Sequence, residues 1–185
     1  GTAPQLSGDL PLSFQVLDFG PGSGTDEGTA MMELIHDIAP SAGLVFASCS
    51  VSQAAYADNV ARLRTVANCT ITTDDILFSN EPMFQDGPIA QAITQNAIAG
   101  VPHFSAAINS ASNGFLGAYQ DFNPSVSETE TFTGADFHNW GIGGSTPHFL
   151  PVDVFPGETL KVVLQWNQPF QSFGLGTGSQ ADLDL

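Results

Sequence analysis

Between residues 14 and 109 short β-rich runs alternate with segments of helical period, and no other feature of the chain narrows its fold as much. A parallel strand reaches its neighbour only through a crossover, usually a helix, so this alternation predicts α/β architecture. Strands are expected at residues 14–17, 44–47, 70–77 and 101–107. A helix is expected from Thr25 or Asp26 through Ile38, with Ala30, Met31, Leu34, Ile35 and Ile38 inward and Pro40 just beyond its end. A second helix, residues 52–67, would turn Tyr56, Val60 and Leu63 inward, and a third, residues 87–99, Ile89, Ile93 and Ala97. The expected fold class is a three-layer α/β arrangement, a parallel sheet covered by helices.

Beyond Asn109 the composition shifts to Ser, Asn, Gly, Thr and Phe, and no helical period remains. The domain reading is an α/β part over residues 1–112, a linker over 113–127 and a partial antiparallel β-sandwich over 128–185. Strands are expected there at residues 129–132, 148–154, 159–166 and 181–185, with Pro156-Gly157 marking a turn. Leu160, Val162, Leu164 and Trp166 alternate with Lys161, Val163 and Gln165, which predicts one buried face.

Nineteen acidic residues against three basic ones (Arg62, Arg64 and Lys161) give a net charge of −16. A polyanion such as nucleic acid, or an anionic membrane surface, would be repelled. No run of 18 apolar residues is present to span a membrane, and Gly1-Thr2-Ala3-Pro4 lacks the character of a signal peptide. Cys49 and Cys69 fall at opposite ends of neighbouring expected strands, about 17 Å apart for strands of ordinary length, so free or intermolecular thiols are expected. Asn68-Cys69-Thr70 matches a glycosylation sequon.

Three motifs then line up in order: Val16-Leu17-Asp18-Phe19-Gly20, Thr25-Asp26-Glu27-Gly28-Thr29-Ala30-Met31 and Ser105-Ala106-Ala107-Ile108-Asn109. They resemble the catalytic aspartate strand, the His-Gly-Thr helix start and the Ala-Ala-Gly-Asn oxyanion strand of the subtilisin family of serine peptidases, with glutamate in the histidine's place. Asp37-Ile38-Ala39-Pro40-Ser41-Ala42 and Phe84-Gln85-Asp86-Gly87-Pro88-Ile89-Ala90-Gln91-Ala92 are similar to a secreted bacterial subgroup that carries Asp-Glu-Gly instead of His-Gly. The resemblance covers residues 12–112. It implies Asp18 as the aspartate, Glu27 as the base and Asn109 as a side-chain donor to the oxyanion, and it is shared in part with sedolisins, the acid-active Ser-Glu-Asp relatives. At Ile108 the chain departs from the family's glycine.

A serine hydroxyl attacks only once a base takes its proton, and the base needs an orienting group. Two carboxylates set close together cannot both ionise freely, so one pKa is expected to rise. Each candidate also has a plainer reading. Glu27 and Asp26 suit the positive end of a helix dipole, Asp18 is a turn former, and Asn109 is a strand-end cap. His36 lies about 13 Å along the helix from Glu27, too far to replace it. His103, His138 and His148 show no zinc-ligand spacing. Asp74-Asp75 and Asp182-Leu183-Asp184 offer calcium-type oxygens without a complete ligand loop, so calcium stays open and no other cofactor or metal is expected.

The family's Gly-Thr-Ser nucleophile segment is not found in the 185 residues, and no serine here stands in its context. The expectation is a fragment of a secreted, extracellular subtilisin-like endopeptidase, inactive alone. Its partners would be the missing C-terminal part of the same polypeptide or identical subunits, with a peptide substrate once complete. The alternative is a non-catalytic extracellular subunit that assembles as a dimer or filament through open strand edges.

Overall fold

The computed structural model describes residues 2–22, 24–49, 52–110, 114–122, 137–141, 149–172, 177–181 and 183. The chain divides into two compact units, Gly1–Ile108 with Val163–Leu185, and Asn109–Val162. In the first unit the elements run α1 (Thr2–Ser7), β1 (Gln15–Asp18), α2 (Glu27–Ile38), β2 (Val45–Ala47), α3 (Gln53–Thr65), β3 (Thr72–Asp74), α4 (Pro88–Ile98) and β4 (His103–Ser105). Strands and helices alternate throughout this stretch. β1 pairs parallel with β2, and β3 pairs parallel with β4. The described strands thus form two-stranded sheets, β1-β2 and β3-β4, where the sequence predicts one continuous sheet.

Local chemistry explains the helix ends. Ser52 caps α3, its Oγ accepting the Ala55 N–H at 3.2 Å, a contact worth about 1 kcal/mol. At the other end Asn68 takes φ 57°, a left-handed conformation that asparagine tolerates, and the Cys69 N–H reaches back to the Leu63 carbonyl at 2.9 Å. The residue that heads the glycosylation sequon therefore has a structural task of its own. α4 opens on Gly87-Pro88, proline being suited to a position whose N–H has no helical partner. The Glu81 carboxylate lies over this end and accepts the Ala90 N–H at 3.3 Å.

The core of the first unit is Tyr56, Ala57, Val60 and Ile89, with Cys49, Ile76, Phe78, Ala92 and Ile93 packed against it. Tyr56 stacks on Phe78 with ring centroids 5.6 Å apart. On α4 the expected inward Ala97 is exposed, and the fully buried position is Asn96. Helix α2 departs further from the expected face. Met32 is its buried residue, whereas Ala30 is exposed, Leu34 is 65% exposed and Ile38 87%. Gly28 supplies the reason: a Cβ there would stand 2.6 Å from the Phe46 ring of β2, so this bare backbone is the surface that meets the strand. Residues one and two turns on, Met32, Ile35 and His36, then face the same way, and the Leu34-Ile38 stripe points outward.

The last segment of the first unit is held by side-chain amides. Gln165 accepts the Met83 N–H at 2.8 Å through Oε1 and donates Nε2 to the Glu81 carbonyl at 2.9 Å. Trp166 donates Nε1 to Ser179 Oγ, which donates to Gln168 Oε1 at 2.6 Å.

In the second unit β5 (Asp121–Phe122) pairs antiparallel with β6 (Phe137–His138). Phe115, Tyr119, His138 and Trp140 cluster about this pair, with His138 and Trp140 edge to face at 4.7 Å. Asp121 and Phe122 fall within the stretch 113–127 expected as a linker, and they pair as a strand instead. Residues 149–172 contain no strand, contrary to the strands expected at 148–154 and 159–166. Their alternation lacks the buried face it implies, since Leu160 is 51% and Val162 54% exposed. The strand expected at 129–132 lies outside the described residues, as does most of that at 181–185.

Replacing Gly28 with alanine drives a methyl group into the Phe46 ring. The expected outcome is a loss of about 1–3 kcal/mol, read as a lower urea midpoint with an unchanged slope.

Candidate functional site

The parallel strands of the first unit end on polar side chains: β1 on Asp18, β2 just before Ser48 and Cys49, β3 on Asp74 and β4 on Ser105. Ligand and catalytic groups in α/β sheets gather at this carboxyl end. The register of β1 against β2 slips between Val16 and Asp18, with Val16 opposite Phe46 and Asp18 opposite Ala47. Such a bulge re-aims the side chain that follows it. The Asp18 carbonyl then accepts the Ser48 N–H at 3.0 Å, which ties the tips of the two strands.

The Asp18 carboxylate is held from two sides. Oδ1 accepts the Gly20 N–H at 2.9 Å, and Oδ2 accepts Asn59 Nδ2 at 2.8 Å. The Gly20 bond first, then the Asn59 bond, with a further contribution from the Arg62 charge, hold its carboxyl below the ordinary aspartate value against a smaller opposing effect of burial. Of the two carboxylates expected to compete for a proton, Asp18 therefore shifts downward rather than up.

Glu27 begins α2 and is exposed, a favourable position for a negative charge on the helix dipole. Its N–H reaches Thr25 Oγ1 at 3.4 Å, while Asp26, the N-cap residue, makes no side-chain cap. Among the described residues no hydrogen bond joins Glu27 to Asp18. Its negative charge adds slightly to the upward shift of the Cys49 thiol. Asn109 is exposed and opens the second unit, directly after Ile108. Ile108 has φ 63°, a left-handed conformation that a β-branched side chain strongly resists. His36 is partly buried, and its Nδ1 has no hydrogen-bond partner among the described residues.

A second group was not singled out as a unit by the sequence. The register pairs Thr72 with His103 and Asp74 with Ser105, so these four residues share one face of the β3-β4 pair. His103 Nε2 meets Asp74 Oδ2 at 2.8 Å, and its Nδ1 meets Thr72 Oγ1 at 2.9 Å. Ser105 Oγ donates to Asp74 Oδ1 at 2.6 Å, and Tyr56 Oη donates to Asp74 Oδ2 from α3. The signal in the sequence was a Thr-x-Asp strand and a His-x-Ser strand, each with the two-residue period of one sheet face.

Burial alone would push the Asp74 carboxyl up, but hydrogen bonds from His103, Ser105 and Tyr56 outweigh it and leave its pKa lowered. Burial, and then the bond to Asp74, push the Tyr56 phenol up. Burial likewise raises the Cys49 thiol, helped by the charges of Asp74 and Glu27, so Cys49 stays protonated and a poor nucleophile. Burial raises Cys69 as well, and neither cysteine is in a disulfide. Among the described residues no three His, Cys, Asp or Glu side chains gather as a metal-holding group. Asp74, one of the aspartates considered for calcium, already accepts three protein donors. Asp182 and Asp184 lie outside the described residues. Among the described residues no helix is long and apolar enough to cross a membrane.

No protein-family model, no curated protein and no solved structure matches this chain.

Two outcomes follow from the site. Asp74 and Asp18 both have folded pKa values below the ordinary 3.8, so their stabilising contribution is complete above that value and is lost as pH falls through the lowered values. Urea midpoints measured from pH 6 down to pH 2 should therefore fall, and Asp74→Asn should flatten the fall while lowering stability at pH 6. Separately, Ile108→Gly removes left-handed strain of about 1–3 kcal/mol and should raise the thermal midpoint by several degrees.

Proposed function

We propose that this chain carries the aspartate, base and oxyanion-donor part of a secreted, acid-active subtilisin-like serine endopeptidase, with the nucleophilic serine supplied from outside these residues. Asp18 would orient, Glu27 would take the serine proton and return it to the leaving amine, and Asn109 would donate its amide N–H to the oxyanion. The observation that carries this reading is the left-handed backbone at Ile108, φ 63°. The resembled motif has glycine at that position. A β-branched residue held in the left-handed region costs about 1–3 kcal/mol, and strain of this kind collects at functional turns. The bulge before Asp18 and the fixed carboxylate beyond it support the same reading.

The test uses the protein as its source produces it. A serine-directed phosphonate should label one serine in polypeptide that co-purifies with residues 1–185. Peptide cleavage should be fastest on the acid side of neutrality, and Glu27→Gln should lower kcat by about 10⁴-fold or more, the scale of losing a triad member. Absence of a labelled serine would overturn the proposal, as would an optimum above neutrality that survives Glu27→Gln.

One observation favours a second reading, a structural subunit that self-assembles. The outward stripe of α2, with Leu34 65% and Ile38 87% exposed, adds apolar surface to the strand edges as a place for another copy. Ordered homopolymers of the 185-residue chain on native sizing, with no labelled serine, would select this reading.

A further inference from the structure

Asn59 is 4% exposed on α3, and its amide uses both N–H donors and its oxygen. One Nδ2 proton goes to Asp18 Oδ2 at 2.8 Å and the other to the Ser48 carbonyl at 2.8 Å. Its Oδ1 accepts Arg62 Nη1, one turn along the helix, at 3.0 Å. The orientation of the amide follows from its partners. An inverted amide would set its oxygen against a carboxylate and a carbonyl, and its N–H₂ against a guanidinium.

These contacts close a ring. The Ser48 N–H donates to the Asp18 carbonyl while the Ser48 carbonyl accepts from Asn59, so α3 grips the ends of β1 and β2 together. The Arg62 charge polarises the amide that touches Asp18, and this charge also acts on Asp18 directly. Gly20 holds the other carboxylate oxygen at 2.9 Å.

We propose that Asn59, braced by Arg62, is the positioning residue of this site, fixing Asp18 as an ionised acceptor at the tip of β1 so that Asp18 orients and Glu27 carries the proton. The assignment of what Asp18 orients rests on the peptidase reading; the tether belongs to the chain whatever its activity. Its chemistry is that of charge-assisted hydrogen bonding. Two N–H donors aimed at a carboxylate stabilise the charged form, and a proton placed on either oxygen weakens the bonds it accepts. Glu27 stands exposed at the start of α2.

The experiment is a carbon-detected NMR titration of the Asp18 carboxyl in the full 185-residue chain. In Asn59→Leu, which keeps the volume but removes the donors, the Asp18 midpoint should move to higher pH. Arg62→Met leaves the amide in place and should give a smaller move in the same direction, and it decides the matter if Asn59→Leu does not fold. An Asp18 midpoint that stays put in a folded variant overturns the proposal, because the amide would then not be what holds the carboxylate ionised. In the source peptidase the acid limb of kcat/KM should shift upward in Arg62→Met with KM unaltered. If no serine there is labelled by the phosphonate, the peptidase reading fails alone, and the titration still decides the tether.

Discussion

Buried polar groups must find partners before the elements that carry them can settle, and in this molecule that demand falls on helix α3. Tyr56, Asn59 and Val60 are all buried on its inner face. Tyr56 donates to Asp74, which brings in β3 and, through His103 and Ser105, β4. Asn59 donates to Asp18 and to Ser48, which brings in β1 and the end of β2. The Val60 carbonyl accepts Asn96 Nδ2 at 2.8 Å, which brings in α4. One helix thus satisfies polar groups of β1, of β3, of the residue that follows β2 and of a neighbouring helix, and it reaches β4 through Asp74. Each bond left unmade in this interior would cost about 1–3 kcal/mol, so the arrangement tolerates few alternatives.

The scarcity of cations makes the same point from the side of charge. A chain of net charge −16 has three basic residues, and two of them are not spent on carboxylates. Arg62 donates to Asn59 Oδ1, and Arg64 Nε donates to Asn96 Oδ1 at 2.7 Å, the fully buried asparagine of α4. Both arginines lie in the last turn of α3, where a positive charge also suits the helix dipole. Asp18 and Asp74 are kept ionised chiefly by hydrogen-bond donors, backbone and side chain, rather than by ion pairs with lysine or arginine. Such donors cost little desolvation when they are already fixed by the fold, and salt screens them less than it screens a surface ion pair.

The helices of the first unit were legible because their signals are local. Caps, glycine and proline punctuation and a 3.6-residue period placed α2, α3 and α4 within two residues of their observed bounds. The strand positions of the first unit were legible too, though β1 is shifted by one residue and β2, β3 and β4 form over shorter spans than their β-rich runs, since pairing partners limit a strand as much as its own residues do. The inner face of α2 was not. Its period admitted Leu34 and Ile38 as core, and the contact of Gly28 with Phe46 turned the helix the other way. In the later part of the chain apolar alternation in residues 159–166 resembled a strand but recorded only half of a requirement, a face without the surface it needs.

Of the candidate site, the sequence by itself set Asp18 at the end of a strand, Glu27 at a helix start and Asn109 just beyond a strand, while Asp74 and Ser105 fell inside longer expected strands that the structure ends at those residues. Order along the chain and turn chemistry suffice for that. Only the tertiary structure decided which of them meet. Asn59 and Asp18 are 41 positions apart, and Asp74 and His103 are 29. Nothing in a local period encodes such a pairing. It arises when parallel strands come into register and a helix is laid across their ends, and the protonation of each carboxyl follows from the donors that this packing delivers.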